Sequence, residues 1–479
     1  MTVTTPPDAL LGARLHGAAR QMLRDRRPAE ALPVLDRLAR LPGLAPAAAL
    51  MQAEALAALE RLPEAEAAAD RALAADPEWS AARQVRARIR LARGERKGAI
   101  DDAAAAVMAT PWDPGAKALL GTAMLEERCF DEAIWFLGEA VQAEPADAGL
   151  RARFGQAFML AGRHEAAAEQ FETCRQQAPD RPRFAALQAQ NALLAGNAAA
   201  AIACAEAGLA QGIPDASLHS ILAHALVDSG RLDEAAPHFT KAARLSPGNG
   251  YLAHLAAAAT GQDTERATDG YVAALFDGYA ARFESSLLGL GYRVPGLVRR
   301  SAERHWPAVA AGQAKLGPVL DLGCGTGLVG VALADLLGGP LTGIDLSRGM
   351  LEQAAAKQIY ASLRQGDIAT ILGEGLPAQA LIVAADVFIY LGRLDEVLRL
   401  CRTVLAPDGA LIFSLELLAP GGGDWRLGPS GRYAHAEDYI LRCLDAAGLV
   451  VVEQRAEALR LETQHPVQGL MIRACPAAG

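Results

Sequence analysis

The chain lacks several features that would assign it to a special class of protein. Its formal net charge is −9, so it has no overall basic excess with which to bind DNA or RNA regardless of sequence. No run of about eighteen apolar residues is free of charged residues, so we expect no membrane-spanning helix. No basic start is followed by a long apolar stretch, so we also expect no secretory signal peptide.

Cysteine is scarce and forms no pattern. The seven cysteines stand singly, none belongs to a CxxC pair, and no spacing of cysteine and histidine indicates a zinc site. We therefore expect a reduced, cytoplasmic protein with no bound metal. Apolar residues make up 52% of the 479 residues and charged residues 21%, which is typical of packed domains, and the length allows two or three of them.

Alanine is abundant up to about residue 260 and recurs with a period of 34 residues. Two columns of small residues keep this period, and late prolines repeat with it. Small side chains at two fixed offsets allow paired antiparallel helices to cross closely, and a proline ends each unit because it cannot continue a helix. The columns are Ala19, Ala53, Ala87, Gly121, Gly155, Ala189 and Ala223, and Ala31, Ala65, Ala99, Ala133, Ala167, Ala201 and Ala235.

A 34-residue unit of this kind resembles the tetratricopeptide repeat (TPR). The resemblance covers roughly residues 12–249 and implies an all-α solenoid of about seven repeats, which we assign to residues 1–262. Such arrays are usually binding scaffolds and indicate no chemistry by themselves. The segment after Pro247 predicts a closing helix, and the polar run Thr260–Gly270 predicts a linker. Turns between paired helices are expected at Gly94, Gly162, Gly196 and Gly230.

A column of seven polar residues follows the first column of small residues by one position. First helices line the concave face in the repeats that this array resembles, so we expect the polar column to point into a groove. Either it is a solvated inner wall, or it provides donors and acceptors for an extended peptide. The column is Arg20, Glu54, Arg88, Thr122, Gln156, Gln190 and His224, and the candidate contacts to a peptide or protein are Arg88, Gln156, Gln190 and His224.

From Gly317 onward, short apolar runs alternate with helical stretches, which predicts βαβ units and a largely parallel sheet. The first predicted strand is GPVLDLG, and the next four are LTGIDLS, ASLRQGDI, ALIVAADVFIYLG and GALIFSLELL. Two more β-rich runs follow, GLVVVEQ and QGLMIRAC. We assign this α/β domain to residues 263–479.

The glycines after the first predicted strand indicate a cofactor site. No lysine follows them, which excludes a P-loop. Gly325, Gly327 and Gly330 match the dinucleotide fingerprint, but a single match of that kind is weak. Asp321 stands two residues before Gly323, and a carboxylate there suits a cofactor with a cationic amino group better than a pyrophosphate. S-adenosylmethionine carries an ammonium and a sulfonium and no phosphate.

Two further carboxylates follow the next predicted strands. Asp345 comes 22 residues after Gly323 and can accept both ribose hydroxyls, a feature that NAD-binding proteins share. Asp367, in the run from Gly366 to Ile368, can accept from the adenine amino group. The ordered set of acids and glycines is therefore more specific than any one of its parts.

This set resembles the class I, seven-strand methyltransferases that use S-adenosylmethionine. DLGCGTG matches that family's first motif, GIDLS, QGDI and LAPDGALIFSLE match later ones, and the resemblance covers about residues 270–479. Repeats followed by such a domain resemble the bacterial TPR-repeat methyltransferases. The resemblance implies a Rossmann-like, mostly parallel seven-stranded sheet with helices on both faces and an antiparallel hairpin at its end.

The resemblance also implies which residues hold the cofactor. Asp321 is expected near the methionine amino group, Asp345 on the ribose, and Asp367 with Ile368 at the adenine. Cys324 is interpreted as a small filler rather than a nucleophile. The expected cofactor-binding residues are Asp321, Gly323, Cys324, Gly325, Gly327, Asp345, Leu346, Asp367, Ile368 and Asp386.

In this fold the acceptor lies beyond the carboxyl ends of the fourth and fifth strands, beside the cofactor. Asp386 and Tyr390 follow the fourth predicted strand, Glu416 ends the fifth, and His435 lies on a later loop with Arg432 and Tyr433. We name Asp386, Tyr390, Glu416 and His435 as candidate catalytic residues. An upstream amphipathic segment is either a lid over the cofactor or part of the core, and it carries Tyr271, Phe276, Tyr279 and Phe283.

These features together predict a cytoplasmic S-adenosylmethionine-dependent methyltransferase whose repeats recruit a peptide or protein acceptor. Methyl transfer is an in-line displacement at an activated sulfonium, so the protein mainly positions the nucleophile, and no metal is required. The acceptor atom, N or O, stays open. The alternatives are a small-molecule methyltransferase whose repeats bind a separate partner, a scaffold whose domain binds the cofactor without catalysis, and an NAD-dependent oxidoreductase.

Overall fold

The structure is a computed structural model that describes residues 7–477 apart from 263, 278, 279, 281, 282, 420, 429, 463 and 464. The chain folds into two compact units, Met1–Ile213 and Pro214–Gly479. The division falls inside the repeat array, so the last helices of the array share a unit with the α/β domain. The change from repeat to α/β domain near residue 262 stays a prediction.

The described part of the first unit is a series of antiparallel helix pairs. Each pair is one 34-residue unit, as the period predicts. The pairs are α1 (Pro7–Arg24) and α2 (Pro28–Ala39), α3 (Ala45–Ala58) and α4 (Leu62–Ala75), α5 (Ser80–Ala92) and α6 (Arg96–Ala109), α7 (Pro114–Glu126) and α8 (Phe130–Ala143), α9 (Ala148–Leu160) and α10 (His164–Gln177), and α11 (Pro182–Leu194) and α12 (Ala198–Leu209).

Both columns of small residues are buried where the paired helices cross. A Cβ added at Gly121 would lie 2.7 Å from Leu137 Cγ, and one added at Gly155 would lie 2.6 Å from Phe171 Cε1. These two glycines therefore allow a larger side chain of the second helix to pack against the first helix. The small columns are confirmed as the contact between the paired helices.

The turn between the paired helices has a left-handed residue at the same place in every repeat. Gly94, Gly162, Gly196 and Gly230 have φ between 73° and 78°, which glycine adopts at no steric cost. Arg26, Glu60 and Arg128 stand at the same offset with φ of 58°, 61° and 67°. The predicted turn glycines are thus confirmed, and three repeats have a strained residue in their place.

The second unit begins with the last repeat. This repeat is α13 (Ala216–Asp228) and α14 (Leu232–Leu245), followed by the predicted closing helix α15 (Gly250–Ala259). Four helices precede the sheet: α16 (Asp269–Asp277), α17 (Phe283–Gly289), α18 (Val294–His305) and α19 (Pro307–Ala310).

The segment after α15 is not a free linker. The Ala267 amide donates to the Tyr390 carbonyl at 2.9 Å, and the Gly392 and Arg393 amides donate to the Glu265 carbonyl at 2.8 and 2.9 Å. The backbone from 264 to 268 therefore runs along the loop that follows the fourth strand.

The α/β domain is built on a sheet in which nine strands are described. They are β1 (Val319–Leu322), β2 (Leu341–Asp345), β3 (Ser362–Gln365), β4 (Gln379–Ala384), β5 (Leu405–Leu417), β6 (Trp425–Leu427), β7 (Tyr433–His435), β8 (Leu449–Glu462) and β9 (His465–Pro476). The helices among them are α20 (Leu328–Leu333), α21 (Arg348–Ala356), α22 (Ile368–Gly373), α23 (Asp395–Val404) and α24 (Glu437–Ala446).

The first five strands are parallel and lie in the order β3-β2-β1-β4-β5. β9 pairs with β5 and with β8, antiparallel in both cases, so the predicted terminal hairpin is confirmed. The seven predicted strands correspond to β1–β5, β8 and β9. The sequence did not reveal the short hairpin β6–β7, whose β7 pairs in parallel with the last two residues of β5.

Helices cover both faces of the sheet, as predicted. On one face, Leu320, Ile382 and Phe413 pack with apolar residues of α22, α23 and α24. On the other, Val319 and Val383 pack with apolar residues of α18 and α20. Alternate residues of each strand thus contribute to two cores, as expected of a sheet buried on both sides. Among the described helices, none has the length and apolarity required to cross a membrane.

Candidate cofactor and acceptor site

A cavity of about 950 Å³ lies beyond the carboxyl ends of the parallel strands. Gly323 follows β1, Leu346 follows β2, Asp367 follows β3 and Asp386 follows β4, and all four residues line it. The strand order reverses between β1 and β4, and ligands of open α/β sheets bind at such a switch point.

The cavity brings most of the predicted cofactor residues together. Seven of the ten line it, and three do not. The lining residues are Gly323, Gly325, Asp345, Leu346, Asp367, Ile368 and Asp386, and the other three are Asp321, Cys324 and Gly327.

The Asp345 carboxylate, at the end of β2, is held in one orientation by backbone amides. Its Oδ2 accepts from the Gly325 amide at 2.8 Å, and its Oδ1 accepts from the Ser347 amide at 2.8 Å. Each carboxylate oxygen has a second lone pair, so Asp345 can still accept from a ribose hydroxyl. Burial raises the pKa of this carboxyl, and the backbone amides oppose that shift.

Asp367 caps α22. Its Oδ1 accepts from the Thr370 amide at 2.9 Å and from the Thr370 hydroxyl at 3.0 Å. Its Oδ2 accepts from Arg266 Nη2 at 3.0 Å, and Arg266 also pairs with Asp269. An adenine amino group at Asp367 would therefore share Oδ2 with the Arg266 guanidinium.

Asp321 is a buried carboxylate inside β1. Its Oδ2 accepts from the Tyr360 hydroxyl at 2.7 Å, and its Oδ1 has no hydrogen-bond partner among the described residues. Burial raises the pKa of Asp321 to about 7, although the Tyr360 contact lowers it. A donor with positive charge, such as the methionine ammonium, would satisfy Oδ1 and favour the charged carboxylate.

The Tyr360 ring occupies space that glycines leave open. A Cβ would lie 2.9 Å from the ring at Gly327, 2.8 Å from its hydroxyl at Gly330, and 2.9 Å from the ring at Gly343. The absence of a side chain at Gly327 thus makes room for Tyr360 within the protein. Cys324 is buried nearby, and burial raises the pKa of its thiol, consistent with a small filler.

The segment before the first strand contributes a wall of the cavity. Phe276 and Phe283 line it, and their ring centroids lie 5.9 Å apart. Tyr271 instead is buried, with its ring centroid 4.1 Å from that of His254 on α15. The lid and core alternatives therefore apply to different residues of one segment, and Tyr279 lies outside the described residues.

The acceptor end of the cavity is organised around Asp386. This residue has φ of 55°, a left-handed conformation that costs about 1–2 kcal/mol for a residue other than glycine. Ser414 Oγ accepts from the Asp386 amide and donates to Asp386 Oδ1, both at 2.8 Å. Arg460 Nη1 donates to Asp386 Oδ2 at 3.2 Å, and its Nη2 donates to Glu416. Glu416 itself does not line the cavity and contacts the lining residue Arg460.

Two tyrosines and Arg432 complete this end. Tyr292, Tyr390 and Arg432 all line the cavity, and Arg432 forms a hydrogen bond with the Tyr390 side chain. Burial raises the pKa of both tyrosine hydroxyls. Both hydroxyls are therefore protonated at neutral pH and can donate hydrogen bonds.

The sequence predicts His435 on a loop, and this prediction is wrong. His435 lies in β7, and its side chain is fully buried. Its Nε2 lies 2.8 Å from the Leu391 carbonyl and 3.1 Å from the Gly392 carbonyl, so Nε2 carries the proton and donates it to them. Burial lowers the pKa of His435 to about 4. His435 does not line the cavity, and we do not propose it as a base.

The four candidate groove residues differ in their surroundings. Arg88 and Gln190 are exposed and Gln156 is half-buried, all on first helices of the first unit. His224 is half-buried in the second unit, where its Nε2 lies 2.7 Å from the Tyr251 hydroxyl and its Nδ1 lies 2.7 Å from the Ser220 carbonyl. Both ring nitrogens of His224 are thus engaged within the protein.

Sequence reasoning missed Arg460, Tyr360 and Asp277. Asp277 Oδ1 accepts from the Ser347 hydroxyl at 2.5 Å and from the Gly349 amide at 3.1 Å, next to Asp345. None of the three belongs to a local motif. Alternation along β8 would place Arg460 outward with the exposed Val450 and Val452, but the register shifts between Ala458 and Arg460, and Arg460 is buried.

Comparison with known proteins agrees with this geometry. A family model described as a methyltransferase domain matches residues 319–409. Models described as tetratricopeptide repeats match residues 17–78, 124–190 and 186–250. The methyltransferase match therefore covers β1 to the first part of β5, which carry most of the cavity.

Two curated relatives match part of the chain. A protein of Bacillus subtilis named as a methyltransferase, YqeM, is 34% identical over 107 residues, which is 21% of this chain and 42% of that protein. A malonyl-[acyl-carrier protein] O-methyltransferase of Halalkalibacterium halodurans is 35% identical over 102 residues, 20% of this chain and 38% of that protein. The chain thus spans about two fifths of the length of these relatives.

Solved structures similar to this chain include tetratricopeptide repeat proteins. One from Parabacteroides merdae is 16% identical, covers 52% of this chain and 99% of its own, and has a TM-score of 0.44. One from Thermus thermophilus is 24% identical, covers 38% of this chain and 99% of its own, and has a TM-score of 0.33. By its family matches and its helix pairs and sheet, the chain carries tetratricopeptide repeats followed by a methyltransferase domain.

Proposed function

We propose that the chain transfers the methyl group of S-adenosylmethionine to an acceptor bound beside Asp386. The observation that carries the proposal is the cavity at the switch point, where glycines and successive carboxylates follow β1, β2 and β3. NAD would bring a pyrophosphate close to the buried Asp321 carboxylate, whereas S-adenosylmethionine brings an ammonium.

Each group of the cofactor has a partner of suitable chemistry in this chain. Asp345, fixed by two backbone amides, would accept from the ribose hydroxyls, and Asp367 with Ile368 would bound the adenine. Gly323 and Gly325 line the cavity with φ of 60° and 53°, which glycine adopts without strain, and a Cβ at Gly323 would lie 2.5 Å from Val387 Cγ2. When bound, the cofactor supplies a methyl group already activated by the positive sulfur. The protein then orients the acceptor and excludes water.

Calorimetry with S-adenosylhomocysteine tests the cofactor. We expect binding to the full chain and much weaker binding of NAD. Asp345→Ala removes hydrogen bonds to a charged acceptor, worth about 1.5–3 kcal/mol, so affinity should fall roughly 10- to 150-fold. Asp408→Ala, an exposed aspartate outside the cavity lining, is the matched control and should bind normally. Tight NAD binding without a response to S-adenosylhomocysteine would end this proposal.

The acceptor of this proposal is a peptide or protein recruited by the repeats. Successive first helices contact one another, from α1 and α3 through α9 and α11, and so form a continuous wall. Gln156 and Gln190 on that wall have no hydrogen-bond partner within the described chain, so their amides are available to a peptide backbone. Repeats that bind a separate partner while a small molecule is methylated are the alternative.

Formation of S-adenosylhomocysteine distinguishes an active methyltransferase from a domain that binds S-adenosylmethionine without transferring its methyl group. The full chain is incubated with labelled S-adenosylmethionine and cell extract, and the label is followed into polypeptides and into small molecules. Label in polypeptides supports recruitment by the repeats, and label in small molecules supports the alternative. Cofactor binding without turnover in any fraction would favour a scaffold.

A further inference from the structure

Five described side chains meet at the acceptor end of the cavity, and four of them can donate hydrogen bonds. We call them the acceptor cluster: Tyr292, Asp386, Tyr390, Arg432 and Arg460. Arg460 contacts Asp386, and Arg432 contacts Tyr390. The two pairs form one group, because Arg432 lies close enough to Arg460 to lower its pKa, and Tyr292 interacts with Asp386, Tyr390 and Arg460. The tyrosine hydroxyls stay protonated at neutral pH, since burial raises the pKa of each.

The one carboxylate of the cluster is already engaged. Asp386 Oδ1 accepts from the Ser414 hydroxyl, and Asp386 Oδ2 accepts from Arg460. His435 is buried outside the cavity, and Glu416 pairs with Arg460 outside it. Of these five side chains, only Asp386 could take a proton from an acceptor, and both of its oxygens already accept a hydrogen bond.

The two guanidinium groups at this end lie beside one carboxylate of the cavity lining, Asp386, and Glu416 pairs with Arg460 from outside the lining. Burial and repulsion by Arg432 both lower the pKa of Arg460, and Asp386 and Glu416 together raise it by more. A protonated amine would have to lose a proton before it could attack, whereas a carboxylate would not. A planar guanidinium can bind a carboxylate through two parallel hydrogen bonds.

We propose that the acceptor is a carboxylate, bound by Arg432 with the Tyr390 hydroxyl, and that the product is a methyl ester. This inference rests on the proposed function of the site. A carboxylate oxygen lone pair forms the new O–CH₃ bond while the S–CH₃ bond breaks and its electron pair stays on sulfur. The sulfonium becomes a neutral thioether, and no proton is transferred.

The rest of this end suits the body of an organic acid. Phe276, Leu287 and Leu290 line the cavity, and the Phe276 ring centroid lies 5.6 Å from that of Tyr390. An apolar carbon chain can therefore lie against these side chains while its carboxylate reaches the cluster. A peptide that ends in, or carries, a carboxylate beside apolar residues meets the same description.

Binding of three probes of equal length tests the charge of the acceptor. The full chain is saturated with S-adenosylhomocysteine and titrated with hexanoate, hexanamide and hexylamine. A charge-assisted contact should make hexanoate bind about tenfold or more tightly than the other two. Arg432→Gln should remove that advantage without changing affinity for S-adenosylhomocysteine. Arg426→Gln, an exposed arginine of the same β6–β7 hairpin, should leave it intact.

The chemistry of the product gives a second readout. Methyl groups transferred to carboxylates are released as methanol by mild base, whereas N-methyl and ether products are stable. Base-labile label in polypeptides identifies a peptide carboxylate, and base-labile label in small molecules identifies a free acid. Base-stable product, or hexanamide bound as tightly as hexanoate, would overturn the inference while leaving methyl transfer intact. If the full chain without substitutions does not bind S-adenosylhomocysteine, the proposed function itself is refuted.

Discussion

The Asp277 carboxylate accepts a hydrogen bond from Ser347, which lies 70 residues further along the chain. Its Oδ1 accepts from the Ser347 hydroxyl at 2.5 Å and from the Gly349 amide at 3.1 Å, so α16 is held at the start of α21. The Ser347 amide in turn donates to Asp345, which is expected to bind the ribose. A residue of the segment before the sheet thus supports the loop that holds the Asp345 carboxylate at the cavity.

Asp277→Ala should weaken binding of S-adenosylhomocysteine by about tenfold, because loss of a charged acceptor frees the Ser347 loop. Asp277→Asn keeps a hydrogen-bond acceptor oxygen, so its affinity for S-adenosylhomocysteine should fall by less. Calorimetry on the two variants measures the difference. Unchanged affinity in Asp277→Ala would mean that the loop is held without α16.

The fragment 263–479 should bind S-adenosylhomocysteine but be less stable than 214–479. His254 on α15 donates from Nε2 to the Gly431 carbonyl at 2.9 Å and covers the Tyr271 ring. Removal of α15 exposes an aromatic side chain, which costs about 2 kcal/mol, so the shorter fragment should melt at a lower temperature. Equal melting temperatures, or a folded 263–479 that cannot bind the cofactor, would contradict this expectation.

Asp321 should make the cofactor-free protein less stable as the pH rises. Its pKa is about 7 in the folded protein, whereas the ordinary pKa of 3.8 applies to the unfolded chain. Between these two pH values, Asp321 is protonated in the folded state and ionised in the unfolded state. The free energy of unfolding should therefore fall by about 1.4 kcal/mol per pH unit over that range. Asp321→Asn stays neutral and should lack this fall, which denaturant unfolding at pH 5 and pH 8 can measure. Parallel curves for the two proteins would show that Asp321 titrates normally.

Glycine should stabilise the repeats that have a strained turn residue. Glu60 and Arg128 occupy the left-handed position that glycine fills in four other repeats. Glu60→Gly and Arg128→Gly should each raise the free energy of unfolding by about 1 kcal/mol, because glycine adopts this conformation without a Cβ clash. Gly94→Ala is the reverse control, since nothing lies within 4 Å of an added Cβ and only the backbone conformation opposes it. A stabilised Gly94→Ala would refute the explanation.

The double variant Gln156→Ala with Gln190→Ala should weaken methyl transfer to polypeptides and leave binding of S-adenosylhomocysteine unchanged. Both side chains are neutral and lie in one register of adjacent first helices, so their loss leaves the net charge unchanged. Turnover with cell extract and calorimetry give the two readouts. Normal turnover would indicate that the polar column is a solvated wall.

Much of the fold follows from local pattern. The 34-residue period fixes the helix pairs, because each small column marks a buried crossing, and apolar runs separated by helical stretches mark the parallel strands. The β6–β7 hairpin escaped prediction because its strands have three residues each and lie among glycine, proline and serine. For the same reason the sequence predicts His435 on a loop, although strand pairing buries it.

The sequence predicts those site residues that stand at the carboxyl end of a strand. Asp345 and Asp367 take their positions from the strand ends, so their spacing along the sequence places them at the cavity. Arg460 and Tyr360 come close to Asp386 and Asp321 only through tertiary packing, over 74 and 39 residues. Residues brought together at that distance leave no periodic signal in a single sequence.

The pairing of residues 264–268 with the loop after β4 constrains how such a chain can evolve. Every described residue that lines the cavity comes after Pro214, and α15 packs on the same compact unit. Units upstream of Pro214 can be duplicated, lost or exchanged without altering any residue of the cavity. The sequence upstream of Pro214 can therefore diverge without changing the cavity lining, whereas α15 is constrained by the contacts of His254 with Tyr271 and Gly431.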